Sequence, residues 1–451
     1  LNTNDITNSQ QELSPIIRGN VLLVGYGIEN RSVYSFLKRV FPDIEIAIAD
    51  QKAPRDLPTG ATTYFGKDYL NAAANYETLV RAPGVPPTQL PKNKNIITAT
   101  QIFFALNKKP TIGITGTKGK STTSALIFHL LKTAGIQAQL LGNIGTPILE
   151  GINTNAEISV IELSSFHLED LRVSPNIAVL LAIAPEHLDH HGSTTAYIEA
   201  KLNIARHQKD TDKLVIHSSH RGQKELGGAS SKIFFDLTPQ TSSHYSSSGS
   251  TIIENSTQEP LISINNTKLV GEGNVQNIIA ALEVAKFFDI PKTTLKQGLL
   301  TFSPLPHRLE PVGEFKGVHF YNDSLCTVPE ALRNAINAFG EQVQTVIVGG
   351  YDRGISFIEA GRAIAHSAVE NVIYFPTTGE KILQHTLEHT SRPIVSVRVT
   401  SMKEAVLAAY NLTAKGRICL LSPASPSFSV FKDYADRGDQ FKSWVTSLSR
   451  G

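Results

Sequence analysis

Apolar residues run into Gly116-Thr-Lys-Gly-Lys-Ser121 and are followed at once by the helically spaced Ser121–Ala134, so Thr111–Thr122 holds a strand, a glycine turn and a helix start in one short stretch. This combination constrains the chain most, because a helix start reached through glycines points several backbone N–H groups at one spot and suits an anion. Gly116 and Gly119 let the backbone curl around a polyphosphate, with Thr117 and Lys118 between them. Lys120 can reach the outer phosphates, and Ser121, followed by Thr122, is placed to hold Mg²⁺. The expected ligand is ATP. Ile114 stands where the G-x-x-x-x-G-K-[ST] pattern has its first glycine, so spacing alone also allows an ordinary strand-to-helix turn. Against that reading, a lysine beside two glycines at a helix start is unusual without an anion to bind.

Strand–helix alternation continues on both sides of this loop and predicts an α/β fold with mostly parallel sheets. At 451 residues the chain exceeds what one core usually organises. Three units can be read: a Rossmann-like unit over 1–107, a central phosphate-loop ATPase unit over 108–303, and a second Rossmann-like unit over 304–451. The first opens with strand Val21–Val24, Gly25-Tyr-Gly27 and a helix from about Asn30 to Val40. Its second strand, Ile44–Ala49, ends in Asp50, where such folds place an acid near a ribose or base. Asn30 replaces the third glycine of G-x-G-x-x-G, so Gly25 and Gly27 alone suit a structural turn as well as a binding loop. Val80–Val85 reads as a strand entering a turn at Pro83-Gly84. The central unit adds strands Ile158–Leu163 and Ile177–Ile183, and its serine-rich Thr241–Ser250 reads as a mobile surface loop or hairpin connection. The last unit has strand Val318–Tyr321, a helix from Pro329, strand Thr345–Val348 before Gly349-Gly350, and strands Val372–Phe375 and Arg417–Leu421.

With 41% hydrophobic and 18% charged residues and a formal net charge of +2, the chain reads as soluble and globular. It has no basic stripe, so no nucleic-acid partner is expected. Cys326 and Cys419 lie too far apart for metal-ligand spacing. Cysteine usage of this kind gives a cytoplasmic address as the expectation. A polar N-terminus and the lack of any run of about 18 apolar residues predict neither secretion nor membrane insertion, and a monomer is expected.

Glu162 ends an apolar strand beside the phosphate loop, where a Mg²⁺ carboxylate belongs; a surface salt bridge is the plainer alternative. The next strand runs into Pro185-Glu-His-Leu-Asp-His-His191, which concentrates His187, Asp189, His190 and His191 at a strand end without the spacing or cysteines of a zinc site. Lys201, in Tyr197-Ile-Glu-Ala-Lys201, reads as a surface lysine on spacing alone.

Taken together, the motifs resemble the Mur ligases, and within them the branch that adds D-glutamate to UDP-N-acetylmuramoyl-L-alanine in peptidoglycan synthesis. The resemblance rests on Thr115-Gly-Thr-Lys-Gly-Lys-Ser-Thr122, Glu162-Leu-Ser-Ser-Phe-His-Leu-Glu169, Pro185-Glu-His-Leu-Asp189, Tyr197-Ile-Glu-Ala-Lys201, Leu305-Pro-His-Arg-Leu-Glu310, Asn322-Asp-Ser324, Gly349-Gly-Tyr-Asp-Arg353 and Leu421-Ser-Pro-Ala424. It implies attack of a substrate carboxylate on the γ-phosphate of ATP and displacement of the resulting acyl phosphate by an amine. Lys120 would then stabilise the transferred phosphoryl, Ser121 and Glu162 hold one Mg²⁺, and His187 serve a second metal. Lys201 corresponds to a lysine that the family carries as a carbamate. Arg308 and Asp323 correspond to residues that meet ATP at phosphate and ribose, and Asn274 to an adenine contact. For the nucleotide sugar the resemblance implies Asp50, Pro83, Gly84, Asn143 and Ser164; for the amino-acid carboxylates it implies Thr327, Arg353, Ser427, Phe428 and Tyr434.

Two stretches depart from the pattern. Where the family reads Asn-Asp-Ser-Lys-Ala-Thr-Asn, this chain has Asn322-Asp-Ser-Leu-Cys-Thr-Val328, and Gly273 replaces a histidine before Asn274. The alternatives are a ligase for L-glutamate or another Mur step, a folylpolyglutamate-type ligase, and a nucleotide-binding relative that no longer ligates.

Overall fold

In the computed structural model, which describes residues 3–54, 56–222, 226, 231–240, 242–428 and 430–449, Val21–Val24, Ile46–Asp50, Thr62–Phe65, Thr78–Arg81 and Asn95–Ile97 (β1–β5) form a parallel sheet ordered β3-β2-β1-β4-β5. Every residue of β1 and β4 is buried, as expected of a parallel sheet covered on both faces. The chain leaves β1 toward β2 on one side and returns to β4 on the other. This reversal opens a crevice at the carboxyl ends of β1 and β4, where Gly25-Tyr-Gly27 and Ala82–Val85 lie.

A second parallel sheet is ordered β11-β10-β9-β6-β8-β7, from β6 (Thr111–Thr115), β7 (Ala138–Gly142), β8 (Ile158–Glu162), β9 (Ile177–Leu180), β10 (Lys213–His217) and β11 (Ser231–Phe235). Beyond it, β12 (Tyr245–Ser248), β13 (Thr251–Glu254) and β14 (Glu259–Ser263) form a small sheet in which β12 and β13 are antiparallel. The serine-rich stretch is therefore a hairpin and not a loose loop, with Ser246 buried and its hydroxyl donating to Asn255 Oδ1 at 2.6 Å. Thr241 lies outside the described residues.

By compactness the chain divides into two units, Leu1–Ile262 with Gln276–Leu299, and Ser263–Val275 with Leu300–Gly451. The first contains the two parallel sheets. The second is built on a sheet ordered β15-β16-β20-β17-β18-β19, from β15 (Glu310–Phe315), β16 (Val318–Asn322), β17 (Val343–Val348), β18 (Asn371–Tyr374), β19 (Val395–Arg398) and β20 (Ile418–Leu421). Only the edge pair β15–β16 is antiparallel. Alternation along the strands sends Val346, Val348 and Leu420 into one core with helices Pro329–Phe339 and Ile358–Ala365. Ile347, Cys419 and Leu421 go into the other with helices Met402–Leu412 and Tyr434–Ser449. Both cysteines are free and buried, one in each core, so they pack as small apolar residues. Among the described residues no helix is long and apolar enough to cross a membrane.

Candidate functional site

The strand β6 delivers the chain into the glycine turn, and helix Lys120–Thr133 begins with Gly119 as its N-cap at φ +83°. No side chain fits at two places in the turn. A Cβ on Gly116 would stand 2.6 Å from Leu181 Cβ, and one on Gly119 would stand 2.2 Å from Asn277 Oδ1. The loop is anchored by Thr117, whose N–H donates to Ala182 O at 3.0 Å and whose hydroxyl donates to Ala184 O at 2.9 Å. Lys118 pairs with Glu186 at 2.7 Å. Lys120 lies over the loop, with Nζ donating to Gly116 O at 3.1 Å and Thr117 O at 2.8 Å. Ser121 and Thr122 are buried at the helix start.

Register pairs Ile114 of β6 with Glu162 of β8, so Glu162 emerges beside the turn. It is fully buried. Oε1 accepts from Asn143 Nδ2 at 3.0 Å, while Oε2 has no hydrogen-bond partner among the described residues. A buried carboxylate oxygen without a donor fits a cation site next to a phosphate loop. The salt-bridge alternative for Glu162 fails, since its carboxylate faces an amide in the interior.

Lys201 is not on the surface. Helix Thr194–Arg206 buries it with Tyr197 and Ala205, one turn to either side, and its Nζ donates to Gly116 O at 2.8 Å. Burial, with Lys120 adding repulsion, pulls its amine down to about 7. His187 sits in the left-handed region at φ +54° with a half-exposed ring 5.0 Å from that of Phe166. Burial lowers its pKa, Glu186 opposes that, and Lys120 and Lys201 lower it further, which favours a neutral imidazole able to ligate a metal. His190 and His191 turn instead toward Glu169: His190 Nε2 lies 3.1 Å from both carboxylate oxygens and His191 Nδ1 3.7 Å from one. The three could frame a metal, but the Arg81 guanidinium already stands 2.9 Å from Glu169 Oε1 and fills the cation position.

All five residues expected to meet the nucleotide sugar, Asp50, Pro83, Gly84, Asn143 and Ser164, line one cleft of about 590 Å³ at the reversal point of the first sheet. Asp50 Oδ2 accepts from Tyr26 N at 2.7 Å, which holds the Gly25–Gly27 turn against β2. Asn30 also proves structural. Its buried Nδ2 donates to Gly25 O at 2.7 Å and Val80 O at 3.0 Å, tying the ends of β1 and β4 together, a link that a third glycine could not make. Ser164 caps the short helix Ser165–Leu168 and is oriented by His167. Because Ser164 N donates to His167 Nδ1 at 3.0 Å, the ring proton sits on Nε2 and goes to Glu29 Oε1 at 2.6 Å.

In the second unit, Asp323 is turned inward: Oδ1 accepts from Leu309 N at 3.2 Å and Oδ2 from the Ser422 hydroxyl at 2.9 Å. Burial raises its carboxyl to about 7. Arg308 lies on the preceding turn, and Asn274 opens helix Glu272–Ala285 with Nδ2 donating to Val270 O at 2.8 Å. Arg353 is exposed on the loop after Gly349-Gly350, Phe428 stands edge-on to Tyr351 at 6.3 Å, Tyr434 is exposed, and Ser427 is buried. Thr327 and Leu325 are half-buried, while Cys326 between them is in the core.

Arg437 carried no signal beyond its place one and two turns before Phe441 and Val445 on the buried stripe of the last helix. Fully buried, it donates to Ser324 O at 2.8 Å, the Ser324 hydroxyl at 3.0 Å and Ser425 O at 2.9 Å, which holds the 322–327 and 422–428 loops together.

Residues 114–285 match the Mur ligase middle domain. The chain is 31% identical to a UDP-N-acetylmuramoylalanine–D-glutamate ligase of Acetivibrio thermocellus, over 95% of this chain and 96% of that one. It is 30% identical to a UDP-N-acetylmuramoyl-L-alanine–L-glutamate ligase of Xanthomonas campestris, over 93% of this chain and 94% of that one. Among solved structures, the UDP-N-acetylmuramate–alanine ligase of Thermotoga maritima shares the fold, with a TM-score of 0.61 at 17% identity over 96% of this chain and all of that one. A middle-domain match that begins inside β6, and relatives that run nearly end to end, have one reading in common: the chain belongs to the Mur ligase family.

Proposed function

We propose that this Mur ligase couples ATP cleavage to addition of D-glutamate to UDP-N-acetylmuramoyl-L-alanine. One contact carries the reading. Asn143 lines the cleft that gathers the expected nucleotide-sugar residues, and its amide grips Glu162, the carboxylate beside the phosphate loop. A substrate held in that cleft with its carboxylate end at Asn143 would meet the γ-phosphate without crossing bulk water.

In this scheme the substrate carboxylate attacks the γ-phosphorus, giving an acyl phosphate and ADP, and the amine then displaces phosphate. Lys120 leaves its two loop carbonyls for the transferring phosphoryl oxygens. The N–H groups of the turn from Gly116 to Thr122 hold the other phosphates. Ser121 and Glu162 would hold Mg²⁺, and His187 and a carbamylated Lys201 a second ion, which when bound would neutralise phosphate charge. The orphaned Glu162 Oε2 supports the first of these sites. The low amine pKa of Lys201 supports carbamate formation, which needs the neutral amine. Arg308, Asp323 and Asn274 are assigned to ATP by motif correspondence, within a functional division at 1–107, 108–303 and 304–451.

Arg353, with Thr327, Ser427, Phe428 and Tyr434, is assigned to the amino acid. Its exposed guanidinium suits bidentate capture of a carboxylate. Leu325 leaves the loop one ammonium short, and a charge-assisted hydrogen bond contributes about 1.5–3 kcal/mol, or roughly tenfold to a hundredfold in affinity. Leu325→Lys is therefore expected to lower the KM for D-glutamate by about tenfold, with KM for ATP and nucleotide sugar unchanged, and Arg353→Ala to raise it more strongly.

The deciding experiment is phosphate release with UDP-N-acetylmuramoyl-L-alanine against a panel of D- and L-amino acids. D-glutamate should give the highest kcat/KM. Preference for L-glutamate would align the chain with its Xanthomonas relative and leave the ligase reading standing. Absence of phosphate release with every amino acid would refute ligation itself.

A further inference from the structure

Arg81 closes β4 fully buried, an unusual place for a guanidinium unless every donor is used. Here they are. Nε donates to Asp170 Oδ2 at 2.9 Å, and the terminal nitrogens pair with Asp170 at 2.6 Å and with Glu169 at 2.9 Å. The same nitrogens also donate to the carbonyls of Ala82 at 3.4 Å, Pro83 at 3.3 Å, Val85 at 2.8 Å and Phe166 at 3.2 Å. Three of those carbonyls belong to the turn that forms one wall of the cleft, and the fourth belongs to Phe166 on its other wall. A single planar fork thus fixes the spacing of the two walls, drawn from the first and second sheets. Behind it, Glu169 is held by His190, and the His190 and His191 rings lie 4.4 Å and 5.5 Å from that of Phe166.

We infer that Arg81 is a positioning residue for the nucleotide sugar: it touches no substrate, but sets the Pro83–Gly84 turn against Phe166 at the width the ligand needs. The inference rests on the reading of the cleft as the nucleotide-sugar site. A merely structural arginine would, when altered, lower stability or kcat without preference among substrates. A positioning residue shows a selective KM effect. Lysine keeps the charge in the Glu169–Asp170 pocket but has no fork to span both walls.

The test is steady-state kinetics and direct titration with UDP-N-acetylmuramoyl-L-alanine on the full chain. Arg81→Lys should raise KM and Kd for this nucleotide on the order of tenfold, with kcat and KM for ATP within about twofold of wild type. Asp170→Asn, altered at the solvent-facing end of the pair, should move the same constants in the same direction but less, and it keeps the test available should Arg81→Lys fold poorly. Unchanged nucleotide affinity in a folded Arg81→Lys or in Asp170→Asn, or a parallel loss in every constant, overturns the inference. Asp50→Ala separates the two levels. If it weakens nucleotide binding while Arg81→Lys and Asp170→Asn do not, the cleft reading stands and the role of Arg81 fails. If wild type does not bind the nucleotide at all, both fail together.

Discussion

Lys120→Ala is expected to reduce phosphate release by about two to three orders of magnitude, the usual cost of removing one donor aimed at charge that develops in the transition state. The loss should fall on kcat. In the structure Lys120 Nζ is spent on two carbonyls of its own loop, Gly116 O and Thr117 O, so the ground state gains little from it and a phosphoryl group in flight gains much. Affinity for the nucleotide sugar should stay near wild type, because Lys120 is not among the residues that line the cleft with Asp50, Pro83, Gly84, Asn143 and Ser164. Removing the lysine leaves Gly116 O still paired with Lys201 and costs the loop the hydrogen bonds Lys120 made, so the thermal midpoint should fall by a few degrees while the loop stays folded. Wild-type turnover in a folded Lys120→Ala would end the phosphate-loop assignment. A large rise in nucleotide-sugar KM with kcat preserved would move this lysine into the cleft.

The strand, glycine turn and helix start over 111–133 were legible because their signal is local: an apolar run, glycines that take φ +157° and +83°, and a helically spaced stretch follow one another in sequence. The strands were legible for a similar reason. Val21–Val24 is a continuous apolar run and Ile158–Ile161 is apolar but for Ser159, as a sheet buried on both faces requires, and the ends of these strands were read to within a residue or two. Residues that act between distant segments escaped. Arg81 and Arg437 carry charges that polarity alone assigns to the surface, yet each is buried because carbonyls from several loops converge on it. Asn30 looked like a defect in a glycine pattern and is a clamp. Lys201 escaped as well. On spacing alone it reads as a surface lysine, and only the packed helix shows it buried between Tyr197 and Ala205 with Gly116 O as its acceptor. The hairpin at Tyr245–Glu254 was one of two alternatives, because serine-rich composition suits a mobile loop as well as a hairpin until the paired strand is known.

Lys201→Ala should be nearly inactive, and partly restored by millimolar formate or acetate. In the scheme above the lysine works as a carbamate, which turns a cation into a carboxylate-like anion, and a small carboxylate can occupy the space the shortened side chain leaves. The chemistry requires a neutral amine to attack CO₂. An ordinary lysine, with a pKa near 10.4, offers about one neutral amine in a thousand at pH 7.4. Burial brings Lys201 to about 7, so at that pH the neutral form is the larger fraction, and it grows as pH rises. Two further results follow from this sign. Activity of the wild type should rise when bicarbonate is added after CO₂ has been stripped from the buffer, and more so at pH 8 than at pH 6.5. Lys201→Ala should ignore bicarbonate at both. Rescue by carboxylates should also depend on their size, since the site between Tyr197 and the glycine turn is closed, with Lys201 only 1% exposed. If instead Lys201 acts as an ammonium that donates to Gly116 O, methylamine would restore the alanine variant and acetate would not. That outcome would make the residue a cationic brace for the loop and remove the carbamate from the scheme.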